Sequence, residues 1–75
     1  MNFDKELNAR NMSCPLPIVK TKKALADMAS GQVLKVISTD TGSVKDMGAF
    51  AEQTGNTLLH SGTENSKYVF FLKKA

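Results

Sequence analysis

Hydrophobic and polar residues recur along this 75-residue chain with periods that predict four strands and two helices. A first short strand is indicated by Leu7 and Ala9, which alternate with polar neighbours. The run 18–29 is typical of an amphipathic helix, and Gly31 is its predicted stop. Its stripe recurs at i, i+3, i+7 and i+10, at Ile18, Thr21, Leu25 and Met28.

The second half of the chain repeats this alternation of strand and helix. Residues 33–37 are β-branched or apolar except for Lys35, and they predict a buried strand. Ser43 is the predicted N-cap of a second helix with Asp46 in its first turn, and Gly55 ends that helix. Residues 56–61 and 68–72 predict two further strands, separated by a polar turn at 62–66. Met28 and Met47 are expected in the core.

The resulting order β-α-β-α-β-β predicts one domain over residues 1–75. We expect an α+β two-layer sandwich, in which a mixed four-stranded sheet carries both helices on one face, because β-α-β crossovers favour parallel pairing and a short turn favours a hairpin. The turns that carry Cys14 and residues 40–43 then follow parallel strands and meet at one edge. The last strand is apolar on both faces, so we expect part of it to remain open to a partner.

Composition narrows the class of protein. The net charge is +3, which permits acidic partners without demanding nucleic acid. The single cysteine excludes an internal disulfide and a multi-cysteine metal site, and it suits a reducing cytoplasm. The N-terminus has neither a basic region nor an apolar stretch, so no signal peptide is predicted, and no run is long enough to span a bilayer.

The most distinctive stretch is Ser13-Cys14-Pro15-Leu16-Pro17. Proline is favoured at the first position of a helix, which makes Cys14 a candidate N-cap. A sulfur atom there would lie at the positive end of the helix macrodipole, where the thiolate is favoured over the thiol. Because the two prolines lack amide donors, we expect the lowering of the Cys14 pKa to be moderate.

The chain resembles the TusA family of sulfur carriers, also called SirA-like. The resemblance rests on Cys14-Pro15-Leu16-Pro17 together with segments that extend from residue 7 to residue 73 in family-like order: 7–10, 20–25, Gly31, 33–34, 39–40, 42–46, 49–50 and 53–55. It implies a two-layer α/β sandwich related to the carboxy-terminal domain of a bacterial translation initiation factor.

The resemblance also implies a function. The cysteine of this motif in the family carries sulfane sulfur as a persulfide, which assigns that role to Cys14. The expected donor is a cysteine desulfurase or a rhodanese-like protein, and the expected acceptor is a DsrE-like protein. The chain would act as a co-substrate of sulfurtransferases in tRNA thiolation, cofactor synthesis or sulfur oxidation. We expect no cofactor, no metal ion and no membrane.

Four positions depart from the family pattern or from some relatives. The family usually has Asp at the position of Asn8, Gly at that of Asn11, and often Pro at that of Gly48. Asparagine tolerates the left-handed conformation, so Asn11 is compatible with a tight turn. Some relatives have a second cysteine where this chain has Ala51, so a mechanism that needs two cysteines in one chain is excluded.

Other residues admit two interpretations. Pro15 and Pro17 either begin the helix or also hold the sulfur outward. Met12 and Leu16 are docking contacts or core residues, and Asp40 ends a strand or shapes the edge that carries Cys14. His60 is expected half-exposed on a strand, with a Cys14–His60 pair as the alternative. Lys20, Lys22 and Lys23 form a solvated helix face or, chiefly through Lys20 and Lys23, an electrostatic docking site for acidic proteins.

The alternative to a sulfur carrier is a small RNA-binding or regulatory interaction module. Its basis is the positive charge, the lysine cluster and an aromatic residue, Tyr68 or Phe70, on a sheet face. No RNA-binding signature accompanies these features, seven acidic residues dilute the charge, and Cys14 with its prolines stays unexplained. We therefore favour the carrier over direct binding of nucleic acid.

Overall fold

The computed structural model describes residues 2–75; Met1, the first residue of the predicted domain, lies outside them. The predicted order β-α-β-α-β-β is confirmed. The elements are β1 (Lys5–Ala9), α1 (Leu16–Ala26), β2 (Val33–Ser38), α2 (Ser43–Thr54), β3 (Thr57–Glu64) and β4 (Lys67–Lys73).

The four strands form one mixed sheet in the order β1-β2-β4-β3. β1 pairs in parallel with β2, and β4 is antiparallel to both β2 and β3. The α2 crossover therefore brings β3 parallel to β2 without pairing the two strands, because β4 lies between them. The mixed sheet predicted from the element order is confirmed, and its two central strands are the apolar β2 and β4.

Both helices pack on the same face of this sheet. Strand positions two residues apart point toward them, as the pleat requires, and register places Val36 beside Phe70 and Leu34 beside Leu72. The predicted core methionines Met28 and Met47 are buried. The core cluster comprises Ala9, Ala24, Leu25, Met28, Leu34, Val36, Met47, Phe50, Ala51, Phe70 and Leu72.

The predicted helix ends need three corrections. α1 begins at Leu16, and its N-cap is Pro15 rather than Cys14. It ends at Ala26 with Asp27 as its C-cap, so Gly31, which has a positive φ, lies four residues beyond the cap. Ser43 is the first residue of α2 and not its cap, because its hydroxyl donates to the Asp40 carbonyl at 2.6 Å. Gly55 ends α2 in the left-handed conformation, as predicted.

The β3–β4 hairpin is tighter than the pattern predicts. The turn consists of Asn65 and Ser66, both at positive φ, so Gly62 lies inside β3 and not in a polar turn. A two-residue loop of this kind matches the twist of the flanking strands. Gly62 fits the strand because a Cβ there would lie 2.8 Å from Nε2 of His60.

The sheet face opposite the helices is covered in part by the chain itself. The ring of Phe3 lies 6.2 Å from that of Phe71, and the Lys35 ammonium lies 5.2 Å above the Phe3 ring. Phe71 is consequently only 7% exposed and Val69 is buried, so the expectation that β4 stays open to a partner is wrong for these two residues. A groove of about 430 Å³ remains, lined by Phe3, Lys35, His60, Glu64 and Phe71.

Neither helix in residues 2–75 combines the length and the apolar character that crossing a membrane requires.

Candidate functional site

Two loops meet at the carboxyl ends of β1 and β2, as the element order predicts. After β1, Asn11 takes a positive φ of 63°, a conformation that asparagine tolerates, and the chain turns toward Cys14. The amide of Asn11 donates to the Thr39 hydroxyl at 2.9 Å and so ties this loop to the one that follows β2. Cys14 therefore lies beside the start of α2.

The sulfur atom of Cys14 is exposed and has one specific partner. Its thiol donates a hydrogen bond to Oδ2 of Asp46, with 3.1 Å between the two atoms. Asp46 lies in the first turn of α2, where the helix macrodipole favours a negative side chain. The position that stabilises the carboxylate is thus also the position that brings it to the thiol.

A second carboxylate flanks the same edge. Oδ2 of Asp40 is buried without a hydrogen-bond partner, although its residue is only half-buried. Oδ2 of Asp40 and Oδ2 of Asp46 lie 3.2 and 3.9 Å from the point where a Cβ of Gly42 would stand. The missing side chain at Gly42 leaves room for this acidic pair, which we define as Asp40 and Asp46.

The acidic pair reverses the predicted ionisation of Cys14. The pKa of the thiol is raised above its ordinary value, first by the hydrogen bond to Asp46, then by partial desolvation, and then by the negative charges of Asp46 and Asp40. Cys14 also lies one residue before the N-cap Pro15, and no side chain caps α1. The expectation of a lowered pKa is therefore wrong, and the thiol predominates at neutral pH.

The two prolines have different environments. Pro15 is exposed, and the peptide bond between Cys14 and Pro15 is cis. The carbonyl oxygen of Pro15 accepts hydrogen bonds from the amides of Ile18 and Val19, both at 3.1 Å, and these bonds form the start of α1. Pro17 is fully buried, and its carbonyl accepts a bond of 2.7 Å from the hydroxyl of the buried Thr21. Pro17 thus belongs to the packing of α1 against the sheet.

The residues considered for docking are divided between core and surface. Leu16 is 47% exposed, whereas Met12 is half-buried and packs against the core. Lys20 and Lys23 are exposed on α1, and Val19 is exposed beside them. Because Leu16, Val19, Lys20 and Lys23 are spaced at i, i+3, i+4 and i+7, they lie on one side of the helix. We call these four residues the α1 stripe.

His60 and the last-strand aromatics lie elsewhere. His60 is exposed on β3, at the opposite edge of the sheet from β1, and its ring lies 5.9 Å from that of Phe71. A Cys14–His60 pair is therefore absent from the described residues. Phe70 is fully buried toward the helices, and Tyr68 packs against the core. Neither aromatic offers the open sheet face that the RNA-binding alternative needs.

Asp46 is the site residue that sequence reasoning missed. The pattern identified Asp46 only as a helix-start residue, although the same argument brought the loop before α2 to the edge that carries Cys14. Those two inferences together were the signal that could have found it. Within residues 2–75, no three His, Cys, Asp or Glu side chains group closely enough to hold a metal ion. What the site offers chemically is one exposed sulfur nucleophile.

Comparison with known proteins finds relatives that match nearly the whole chain. The family model "Sulfurtransferase TusA" matches residues 5–74. The chain is 57% identical to the sulfur carrier protein TusA of Allochromatium vinosum over 99% of this chain and 97% of the relative. It is 40% identical to YrkI of Bacillus subtilis over 99% of both chains.

A solved structure has the same fold. The SirA-like protein of Desulfitobacterium hafniense superposes with a TM-score of 0.83, at 24% identity, over 93% of this chain and 96% of that one. The family match spans both loops of the site and every strand of the sheet. By the extent of that match and by its identity to a curated relative, the chain belongs to the TusA family.

Proposed function

We propose that this protein is a sulfur carrier that accepts sulfane sulfur on Cys14 as a persulfide and passes it to a second protein. The observation that carries the proposal is the exposed sulfur of Cys14 at the edge where two loops meet. A nucleophile in such a position is reached by the active site of another protein. Membership of the TusA family, with a relative named as a sulfur carrier, supports the same role.

The transfer step balances without an external oxidant. Sγ of Cys14 attacks the terminal sulfur of a donor persulfide, and the sulfur–sulfur bond of the donor breaks. The bonding electrons leave with the donor thiolate, which takes up the proton of Cys14. Cys14 is then a persulfide, and a thiolate of the acceptor repeats the attack on its outer sulfur. The donor in our proposal is a cysteine desulfurase or a rhodanese-like protein, and the acceptor is DsrE-like.

Loading by a desulfurase tests the proposal. The reduced protein, incubated with a cysteine desulfurase and cysteine, should gain the mass of one sulfur atom, and a reductant should remove it. Fragmentation should place the added sulfur on Cys14. A protein that gains no sulfur from a desulfurase or from a rhodanese, or that gains it on another residue, would contradict the proposal.

The α1 stripe is the surface we propose for docking. It leads away from Cys14 with two exposed apolar residues and two lysines, which suits an acidic partner surface around a sulfur-transfer site. We expect the double variant Lys20→Glu, Lys23→Glu to slow association with the donor by about tenfold or more at low salt, because complementary charges act chiefly on the association rate. The measurement is the loading rate against donor concentration, repeated over a series of salt concentrations.

A matched control separates docking from net charge. Lys5→Glu with Lys73→Glu makes the same change in charge at two positions near the opposite end of the sheet, where Lys5 begins β1 and Lys73 ends β4. This variant should load at nearly the wild-type rate. If both double variants slow loading equally, the effect is one of overall charge and the stripe is not the docking surface.

A further inference from the structure

The hydrogen bond between Cys14 and Asp46 opposes what a nucleophile needs. Reactive cysteines ordinarily lie beside cations or at helix N-termini, where the thiolate is stabilised. Here the thiol lies beside the start of α2, but its hydrogen bond there is to the carboxylate of Asp46, and the first turn of α1 contains no lysine or arginine. The site as built therefore favours a protonated sulfur.

We propose that Asp46 is a positioning residue that holds the empty carrier as a quiescent thiol and releases the sulfur once the carrier is loaded. This inference rests on the sulfur-carrier function proposed above. Its basis is the 3.1 Å bond from Sγ to Oδ2 of Asp46, which only a sulfur that bears hydrogen can donate.

Loading removes that donor. In the empty carrier Sγ is bonded to Cβ and to hydrogen, and the hydrogen lies toward Asp46. After transfer, Sγ is bonded to Cβ and to the outer sulfur, while the proton has left with the donor thiolate. Sγ then has nothing to donate, so the bond that restrains Cys14 ends when the cargo arrives.

The charges around the sulfur also favour its release from Asp46 after loading. The groups that act on Cys14 are the carboxylates of Asp46, on α2, and of Asp40, in the preceding loop. The nearest cations along the two segments, Arg10 and Lys45, are exposed. An ionised outer sulfur is repelled by the acidic pair and turns toward solvent, where an acceptor approaches.

The first test compares empty carriers. The variant Asp46→Asn keeps the shape of the side chain and removes its charge, and Glu52→Gln makes the same change on an exposed residue of the same helix. The rate of Cys14 alkylation by iodoacetamide is measured against pH. Asp46→Asn should shift the profile to lower pH and react several-fold faster near neutral pH, whereas Glu52→Gln should follow the wild type. Asp46→Ser, which suits a helix start, replaces Asp46→Asn if the latter unfolds.

The second test compares loaded carriers. Inorganic polysulfide loads Cys14 without a donor enzyme, so this arm is independent of the relay. Asp46→Asn should accelerate alkylation of the loaded carrier much less than that of the empty carrier, because the hydrogen bond to Asp46 no longer exists and only the repulsion between charges remains. The inference would be overturned if empty wild type and empty Asp46→Asn had the same pH profile of alkylation. It would also be overturned if Asp46→Asn accelerated alkylation of the loaded carrier as much as that of the empty carrier. Failure of enzymatic loading with these results intact would instead contradict only the proposed function.

Discussion

Cys14→Ser is expected to reduce sulfur uptake and sulfur transfer to the background level. The hydroxyl of serine is a weak nucleophile and forms no stable analogue of a persulfide, so the chain loses its one sulfur that can accept sulfane sulfur. Serine has nearly the size of cysteine and still donates to Asp46. Because residue 14 is exposed, the free energy of unfolding should change by about 0.5 kcal/mol or less.

Two measurements check this expectation together. Intact mass after incubation with a desulfurase reports uptake, and urea denaturation reports stability. Ser13→Ala, a change at the exposed neighbouring residue, serves as the control and should load like the wild type. A Cys14→Ser protein that is folded and still gains sulfur would show that the cargo is bound elsewhere, and the carrier assignment would be lost.

Phe70→Ala is expected to remove a large share of the stability of the protein. Phe70 is fully buried in the central strand β4, with Val36 of β2 on one side and Ser61 of β3 on the other. Removing a buried phenylalanine costs about 3–5 kcal/mol, because apolar contacts are lost and a cavity remains. A domain of this length is stabilised by roughly 4–11 kcal/mol in total, at about 0.05–0.15 kcal/mol per residue.

Urea denaturation followed by circular dichroism measures this loss. The urea concentration at the midpoint of unfolding should fall steeply. Leu59→Ala, at a position that is 41% exposed on β3, should cost about 1 kcal/mol or less. Equal losses in the two variants would mean that the side of the sheet facing the helices is not the main source of stability.

The elements of the fold could be predicted because their patterns are local and strong. The buried face of α1 follows the period of a helix, whereas β2 and β4 are short runs of β-branched and apolar residues, as is typical of buried strands. The short connections then constrain how these elements pair. Met28 and Met47 followed from the same periodicity, since both lie on the helix side of the sheet.

The ionisation of Cys14 could not be predicted from its neighbours in the sequence. The rule for helix starts considers residues near position 14, whereas the controlling contact comes from Asp46, 32 residues later. Whether a lone sulfur near a helix meets amides or a carboxylate depends on the packing of two loops. The family resemblance suggests a role for the cysteine but does not supply the sign of its pKa shift.

The covering of the sheet face opposite the helices could not be predicted from local patterns either. The composition of β4 suggests an uncovered apolar surface, yet Phe3 and Lys35 cover Phe71. Phe3 precedes β1 and lies 68 positions away from its partner, so no local pattern relates the two rings. Glycine is common in turns, so the sequence predicts a turn at Gly62, but the space that Gly62 leaves is occupied by the ring of His60.

The position of β4 between β2 and β3 has a consequence for biosynthesis. Ribosomes release a chain from its N-terminus, so the strand that joins the two halves of the sheet is the last of the six elements to emerge. Until then β3 has no pairing partner and β2 is paired only with β1. The core residues Phe70 and Leu72 are therefore missing while the first five elements emerge, and the hydrophobic core is completed only when β4 joins the sheet.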